Sequence, residues 1–320
     1  MISFIIIGRN EARNIERCIV SVLETINVNK LTDAEILYID SNSIDGTVSI
    51  VQKHPQVVIY RITQGWNAAV GRNVGAEVSE GEVLFFIDGD VVIDPFFLSF
   101  ALQSGHLNDG ILTGALYEYQ YNAAHQLVNQ GWRNQPDAKE KRIYFTGGIF
   151  LIKRRIWDVI GGMDSRMKKG QDGDLAMRLY ASGYKIHMLN KKMGDHHTIK
   201  YIHSDRVWAT LFKGNMLYAK SVLYRRHFFK WPALKRLMTH DYTSLALLLT
   251  VAALIVRPTY IVTIPYVFIV IFKSVKQRGI SWQNKLSLIP YYCVRDITVI
   301  VGFFFFYPRA TICKWMKICL

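Results

Sequence analysis

The sequence predicts an α/β domain, a mixed and mostly parallel sheet with helices on both faces, followed by a hydrophobic helical segment that associates with a membrane. Three observations predict this. Short apolar runs alternate with stretches of helical periodicity over residues 2–88, the pattern of βαβ units. Two of those runs, "EILYID" and "EVLFFID", end on a carboxylate. From Tyr242 onward, long apolar runs with basic flanks replace the alternation.

The elements follow in order. Residues 2–7 read as a buried strand that stops at Gly8. Ile15, Ile19, Val22, Leu23 and Ile26 then recur at helical spacing. "EILYID" is a second strand ending at Asp40, and "SNSIDGT" supplies turn formers before a short helix over about 47–53. "VVIY" is a third strand, "AAVGRNVGAEVS" a helix despite its glycines, and "EVLFFID" a fourth strand ending at Asp88. "ILTGALYEY" and "RIYFTGGIFLIK" contain further strands. In "GMDSRMKKGQDGDLAMRLYASGYKIHML", Asp172 stands where a helix starts and Gly183 where it stops. The apolar stretch from Tyr242 to Phe272 is split by Arg257-Pro258 into halves over 243–256 and 259–272. Each half, at ~1.5 Å per residue, is shorter than the ~30 Å hydrocarbon core of a bilayer. One continuous span would bury Arg257 near the bilayer centre; a re-entrant or tightly bent helical pair with Arg257 near the turn is the alternative, and the basic flanks suit a hairpin with both ends cytosolic. A third run, 286–306, carries Arg295-Asp296 and is expected either at the interface or packed on that pair. Lys314 and Lys317 alternate with apolar residues, as in a tail lying on a membrane surface.

Composition narrows the function. The chain has 320 residues and a formal net charge of +14. The excess is uneven: residues 1–230 hold 28 Lys+Arg against 23 Asp+Glu, and residues 231–320 hold 11 against 2. Basic residues beside apolar runs favour anionic membrane lipid, and no nucleic-acid motif accompanies them. Cys18, Cys293, Cys313 and Cys319 have no metal-type spacing and read as free thiols. "ISFIII" is too short for a signal-peptide core, so the first domain, residues 1–225, is expected to face the cytosol and 226–320 to anchor it. "WATLFKGNMLYAKSVLYRRHFFKW" reads as an amphipathic helix, solvated or meeting lipid headgroups through Arg225, Arg226 and Lys230.

"FFIDGDVVID" crowds Asp88, Asp90 and Asp94 together, and like charges so close call for a cation. A calcium loop needs Gly at its sixth place and Glu at its twelfth, where this chain has Ile93 and Ser99. A phosphatase of the haloacid-dehalogenase type places its Asp-x-Asp after the first strand of the domain, whereas here three strands precede it. A hard divalent ion held on a nucleotide diphosphate by one or two carboxylates fits the spacing. The plain alternative is a solvated turn.

Motifs elsewhere decide between these. "IIIGRNEARNIERCIVSVL", "ILYIDSNSIDGT", "GWNAAVGRNVGAEVSEGEVLFFIDGD", "TGGIFLIKRRIWDVIGGMD" and "GQDGDLAMRL" occur in that order. Over roughly residues 1–220 the chain thereby resembles the family-two inverting nucleotide-sugar glycosyltransferases of the GT-A fold. One departure stands out: Gln171-Asp172 replaces the family's Glu-Asp.

The resemblance implies roles. Asp40 would bind the uracil and Asp88 the ribose, with Asp45 and Arg72 as further donor contacts. Asp90 would hold Mn²⁺ or Mg²⁺ on the diphosphate. His197 falls where relatives place a metal or diphosphate histidine, and His196 is an equal candidate. Asp172 would be the general base. Each has a plain rival: Asp172 as a helix N-cap, Asp40 and Asp94 as turn formers, Asp174 and Arg178 as a helical ion pair. The implied reaction moves a hexosyl or N-acetylhexosaminyl group from a UDP-sugar to a polyprenyl-diphosphate-linked saccharide. Transfer directly to polyprenyl phosphate, and a catalytically silent nucleotide-binding membrane adaptor, are the alternatives.

Overall fold

A computed structural model of the chain describes residues 1–136, 141–143, 145–199, 218–277, 281–309 and 312–318. The chain forms two compact units, Met1–Lys200 with Ala310–Leu320, and Tyr201–Arg309. The division predicted at residue 225 therefore falls inside the second unit.

The first unit is built on β1 (Ile2–Gly8), β2 (Ala34–Asp40), β3 (Val57–Gln64) and β4 (Val83–Asp88), linked by α1 (Ile15–Val28), α2 (Thr47–Val51) and α3 (Ala68–Val78). These four strands run parallel in the order β3-β2-β1-β4. Then follow β5 (Val91–Ile93), α4 (Phe97–Gln103), β6 (Gly110–Tyr121), β7 (Leu127–Trp132), β8 (Lys141–Arg142), β9 (Phe150–Lys153), α5 (Arg154–Ile160), α6 (Gln171–Ala181) and β10 (Lys185–Ile199). β9 is antiparallel to both β4 and β6, while β6 and β10 are parallel. The sheet is thus more mixed than simple alternation predicts, because hairpin-like returns replace helical crossovers after Asp88.

The sheet is apolar on both faces, as a central parallel strand demands. Along β1 and β4, Phe4, Ile6, Phe85 and Ile87 pack against Ile15, Cys18, Ile19 and Val22 of α1. Ile5, Ile7 and Phe86 point the other way and meet Val70, Val74, Phe150 and Trp157. The glycines of α3 serve this packing: a Cβ on Gly75 would land on the Ile5 side chain. Asn67 caps the helix, its side chain accepting from the Val70 amide at 3.0 Å.

The C-terminal end of α3 has an unusual cap. Arg154 donates from Nε to Gly81 O and from its two terminal nitrogens to Ala76 O and Ser79 O, each at 2.8 Å, and to Ser79 Oγ at 2.7 Å. Arg154→Ala strands these acceptors, and we expect a loss of about 2–3 kcal/mol, read as a lower denaturation midpoint.

One strand corrects the sequence reading. Residues 314–318 do not lie as a surface tail; β11 (Lys314–Ile318) pairs antiparallel with the free edge of β3. Trp315 sits edge-on to Tyr60 with ring centroids 5.6 Å apart. The alternation of Lys314 and Lys317 with apolar residues is that of a half-covered edge strand.

The second unit contains α7 (Ala219–His227), α8 (Trp231–Thr239), α9 (Tyr242–Val256), α10 (Ile264–Val275) and α11 (Trp282–Phe305). The break between α9 and α10 falls at Arg257-Pro258, as Pro258 requires. α11 runs unbroken through Pro290, Arg295 and Asp296, and packs on α9 and α10. It is the one described helix long and apolar enough to cross a membrane. The amphipathic stretch expected from Trp208 is described only from Tyr218 on, where it includes α7; the remainder lies outside the described residues.

Candidate active site

Strand register assembles the site. Gly8 pairs with Asp40, and Ile7 with Asp88, so β1, β2 and β4 end side by side. The crevice beyond such carboxyl ends is where open α/β sheets bind ligands. Here it is a cleft of about 350 Å³ whose walls include Gly8, Arg9, Glu11, Ser41, Trp66, Asp88 and Asp90. Arg9 lies over the Trp66 ring, 3.5 Å from its centroid, and closes one wall.

Asp88 and Arg72 form a unit. The buried Arg72 guanidinium grips Asp88 Oδ1 and also donates to Gly148 O at 2.7 Å. Burial raises the Asp88 carboxyl, and Arg72 opposes the rise. Arg72 therefore orients Asp88 from beneath and does not line the cleft.

Asp90 Oδ2 faces His196 Nε2 at 3.2 Å, and His196 Nδ1 faces Glu118 Oε1 at 3.1 Å. Burial alone would lower His196, but these two carboxylates raise it to about 10. Glu118 falls in turn to about 2, chiefly through His196. Asp90 Oδ1 is buried and has no hydrogen-bond partner among the described residues. An orphaned buried carboxylate oxygen with the carboxyl groups of Asp88 and Glu11 nearby is a donor set that fits a hard divalent cation.

The histidine at this point is His196. His197 turns to the opposite side of β10, as adjacent strand residues must. There its ring stacks on Tyr119 at 4.8 Å, and its Nδ1 meets Tyr121 Oη at 3.0 Å. Only its backbone touches the acidic loop, the amide donating to Asp90 O at 2.9 Å. The cause is register: antiparallel pairing sets His196 against Val91, beside Asp90.

Asp40 does not open to the cleft in this structure. It is fully buried, accepts from the Ser43 amide at 3.1 Å, and has Arg61 Nε at 3.4 Å. Its carboxylate shapes the turn that presents Ser41. Asp45 is likewise a turn residue, accepting from the amides of Thr47 at 3.0 Å and Ala12 at 3.2 Å. Burial pushes Asp45 up, but the Thr47 and Ala12 hydrogen bonds outweigh it and hold the group below its ordinary value. Asp94 accepts from the Phe96 amide at 2.9 Å, the turn role expected of it.

Asp172 is the second residue of α6, half-buried, after Gly170 in the left-handed region. It is inside the helix and not its N-cap. Asp174 and Arg178 pair at 2.8 Å, as their spacing predicts. Gln171 Oε1 is buried with no hydrogen-bond partner among the described residues.

Two acidic residues escaped the sequence reading. Glu11 lines the cleft, and burial together with Asp90 raises it to about 7. It was visible within "GRNEA" but carried no spacing signal. Glu118 reaches His196 only through the β6–β10 register, which pairs the two. A separate group, His106, Asp109 and His187, has ligand-type atoms within 4.8 Å of one another. It lies where Lys185 pairs with Gly110, at the strand ends opposite Asp88, and Lys185 Nζ is 4.0 Å from Asp109.

Known proteins share this plan. The chain is 25% identical over 205 residues to the glycosyltransferase AglE of Haloferax volcanii, covering 61% of this chain and 66% of that one. It is 34% identical over 85 residues to the poly(ribitol-phosphate) beta-N-acetylglucosaminyltransferase TarP of Staphylococcus aureus, 25% of each chain. The matches thus span from a quarter to just under two thirds of these curated relatives. Among solved structures, S. aureus TarS 1-349 in complex with UDP-GlcNAc superposes with a TM-score of 0.52 at 14% identity, covering 94% of this chain and 89% of that one. That likeness establishes the GT-A-type fold. The profile of Glycosyl transferase family 2 matches residues 3–170, more than half the chain. A sheet that ends in paired aspartates and a profile that spans those same strands lead to one conclusion: the chain belongs to glycosyl transferase family 2.

Proposed function

We infer that the protein is a metal-dependent inverting glycosyltransferase that transfers a sugar from a UDP-sugar to a lipid-linked saccharide. The observation that carries this is Asp90, with one oxygen spare and buried, in a cleft at the strand ends. Solved TarS structures with UDP and UDP-GlcNAc support a uridine nucleotide donor. A bound Mn²⁺ or Mg²⁺ would stabilise the charge that gathers on the departing diphosphate.

The chain's own residues do the rest. Arg72 holds Asp88 at the ribose position, and Arg9 and Trp66 wall the cleft for the nucleotide. Asp90 would supply the ligand oxygens, Oδ1 being the free one, and His196 would add a nitrogen only after giving up the proton it shares with Asp90 and Glu118. Asp172 accepts the proton of the acceptor hydroxyl as it attacks from the side opposite the diphosphate, which inverts the anomeric centre. The acidic surroundings of Asp88, Asp90 and Glu11 disfavour a bare diphosphate, a charge that a cation held by Asp90 would offset. The apolar second unit supports membrane association, with the first unit at the cytosolic face.

Gly148 sits against this machinery. A Cβ there would land on Asp88 Oδ2. Gly148→Ala should displace that carboxylate and weaken UDP binding roughly tenfold, a strain of about 1–3 kcal/mol, with circular dichroism unchanged. Calorimetry with Mn²⁺ reads this directly.

The function itself is tested with full-length protein in detergent, Mn²⁺ and a panel of UDP-sugars. Expected is UDP release matched by a lipid-extractable saccharide product, with the same saccharide lacking its lipid used at under about a tenth of the rate. A product carrying one sugar on polyprenyl phosphate would shift the acceptor to the bare lipid phosphate. UDP binding without turnover on any acceptor would favour the silent adaptor.

A further inference from the structure

The strand ends opposite Asp88 gather a second set of ligand-type side chains. A single 3₁₀ turn, His106–Asn108, leads towards β6, and Asp109 follows it directly. Lys185 and His187 open the neighbouring strand β10, paired with Gly110 and Leu112. The backbone locks the two segments together. The Asp109 amide donates to His106 O and the Lys185 amide to Asp109 O, each at 2.9 Å. Gly110, at φ +148°, lets Lys185 approach so closely that a Cβ there would strike the Lys185 carbonyl oxygen.

Side chains from both segments converge on one point. Asp109 Oδ2 lies 3.7 Å from His106 Nδ1 and 3.9 Å from His187 Nε2. The two imidazoles stack, with centroids 4.3 Å apart and planes 7° apart, and all three ligand-type atoms fall within 4.8 Å of one another. The carboxylate–imidazole separations are too long for hydrogen bonds. They come near the ~3.4 Å edge of a tetrahedron with bonds of ~2.0–2.1 Å, the geometry of Zn²⁺ on His and Asp. His187 is 5% exposed, so the core holds one ligand in place. His106 is half-buried and Asp109 exposed, which lets a small tilt of these two side chains close the remaining gap.

The donor set differs in kind from the one at Asp90. Two imidazole nitrogens with one carboxylate suit Zn²⁺ and its transition-metal neighbours, whereas Mg²⁺ and Ca²⁺ prefer oxygen alone. Three protein ligands leave a fourth position to water. Lys185 Nζ stands 4.0 Å from Asp109 Oδ2 and competes with a cation for that carboxylate. Its long side chain is half-exposed and can swing away.

We propose that His106, Asp109 and His187 form a zinc site that clips the turn before β6 to the start of β10. It lies at the far end of the strands from the cleft, so its ion takes no part in sugar transfer. Its role is to stabilise the first unit, and it stands or falls independently of the UDP-sugar reading and of the cation held by Asp90.

The test uses full-length protein in detergent, treated with chelator and then titrated with Zn²⁺ by calorimetry. Expected is one equivalent per chain with a Kd of about 10 µM or below, and a melting temperature that climbs as zinc is added. Co²⁺ should give the visible absorption of a four-coordinate ion, bleached by Zn²⁺. His106→Gln and Asp109→Asn, at the less buried positions, should each weaken Zn²⁺ binding by about tenfold or more with circular dichroism unchanged. His187→Gln should weaken it at least as much. Lys185→Ala should tighten it by about threefold, because a competing charge is gone. A lysine that only supports the fold would not produce that gain. UDP affinity with Mn²⁺ should be the same in all four variants, and Asp90→Ala should keep the zinc equivalent. Undiminished zinc affinity in both His106→Gln and Asp109→Asn overturns the site. So does loss of the equivalent in Asp90→Ala, which would place the ion in the cleft. A parent protein that binds Zn²⁺ no more tightly than about 100 µM overturns it as well.

Discussion

Asp172→Asn should lower kcat by about 10³-fold while UDP affinity in the presence of Mn²⁺ stays within about twofold. The amide keeps the size of the side chain and its place in the first turn of α6. It cannot take a proton from an acceptor hydroxyl, and general-base assistance is worth about 10²–10⁴-fold. The structural rival is a carboxylate that merely favours a helix N-terminus, worth about 0.3–1 kcal/mol. That role predicts a slightly lower melting temperature and an unchanged kcat. Single-turnover kinetics with saturating donor separate the two. Full activity in Asp172→Asn would remove the residue from the chemistry.

Asp90→Ala should abolish the Mn²⁺-dependent part of UDP binding, a loss of about 10²-fold or more, and with it measurable turnover. The variant removes the spare buried oxygen and the partner of His196 together. His196→Ala keeps the spare oxygen, so its affinity should fall less than that of Asp90→Ala. His197→Ala, on the far side of β10, should bind UDP and Mn²⁺ within about threefold of the parent. Calorimetry with Mn²⁺ and with chelator checks all three. Metal-independent UDP binding at full strength in Asp90→Ala would show that the cluster serves another purpose.

Much of this architecture is written in local pattern. The strands ending at Asp40 and Asp88, the helix after Asn67 and the break at Arg257-Pro258 all follow from apolar periodicity and turn chemistry. These depend on neighbours within a few residues. What the sequence withheld depends on register between distant strands. His196 and His197 are chemically identical and adjacent, and only the pairing of β10 with β5 separates them. Glu118 joins the site through β6 and β10. Asp40 resembles a ligand in sequence because it ends a strand, yet tertiary packing seals it under the Ser41–Ser43 turn. β11 has too little apolar character to announce a strand, and its partner lies some 250 residues earlier: Thr63 Oγ1 donates to Lys314 O across a separation of 251.

That last pairing sets a timetable for biosynthesis. At about 5–20 residues per second, the outer rim of β3 waits roughly 12–50 s after its own translation before Lys314–Ile318 emerges to cover it. During that interval an unpaired rim of backbone amides and carbonyls is open to other chains. A stalled ribosome or an early stop codon would leave every strand of the parallel block present but its border open. Such fragments should be lost to aggregation before they are lost to misfolding of the core.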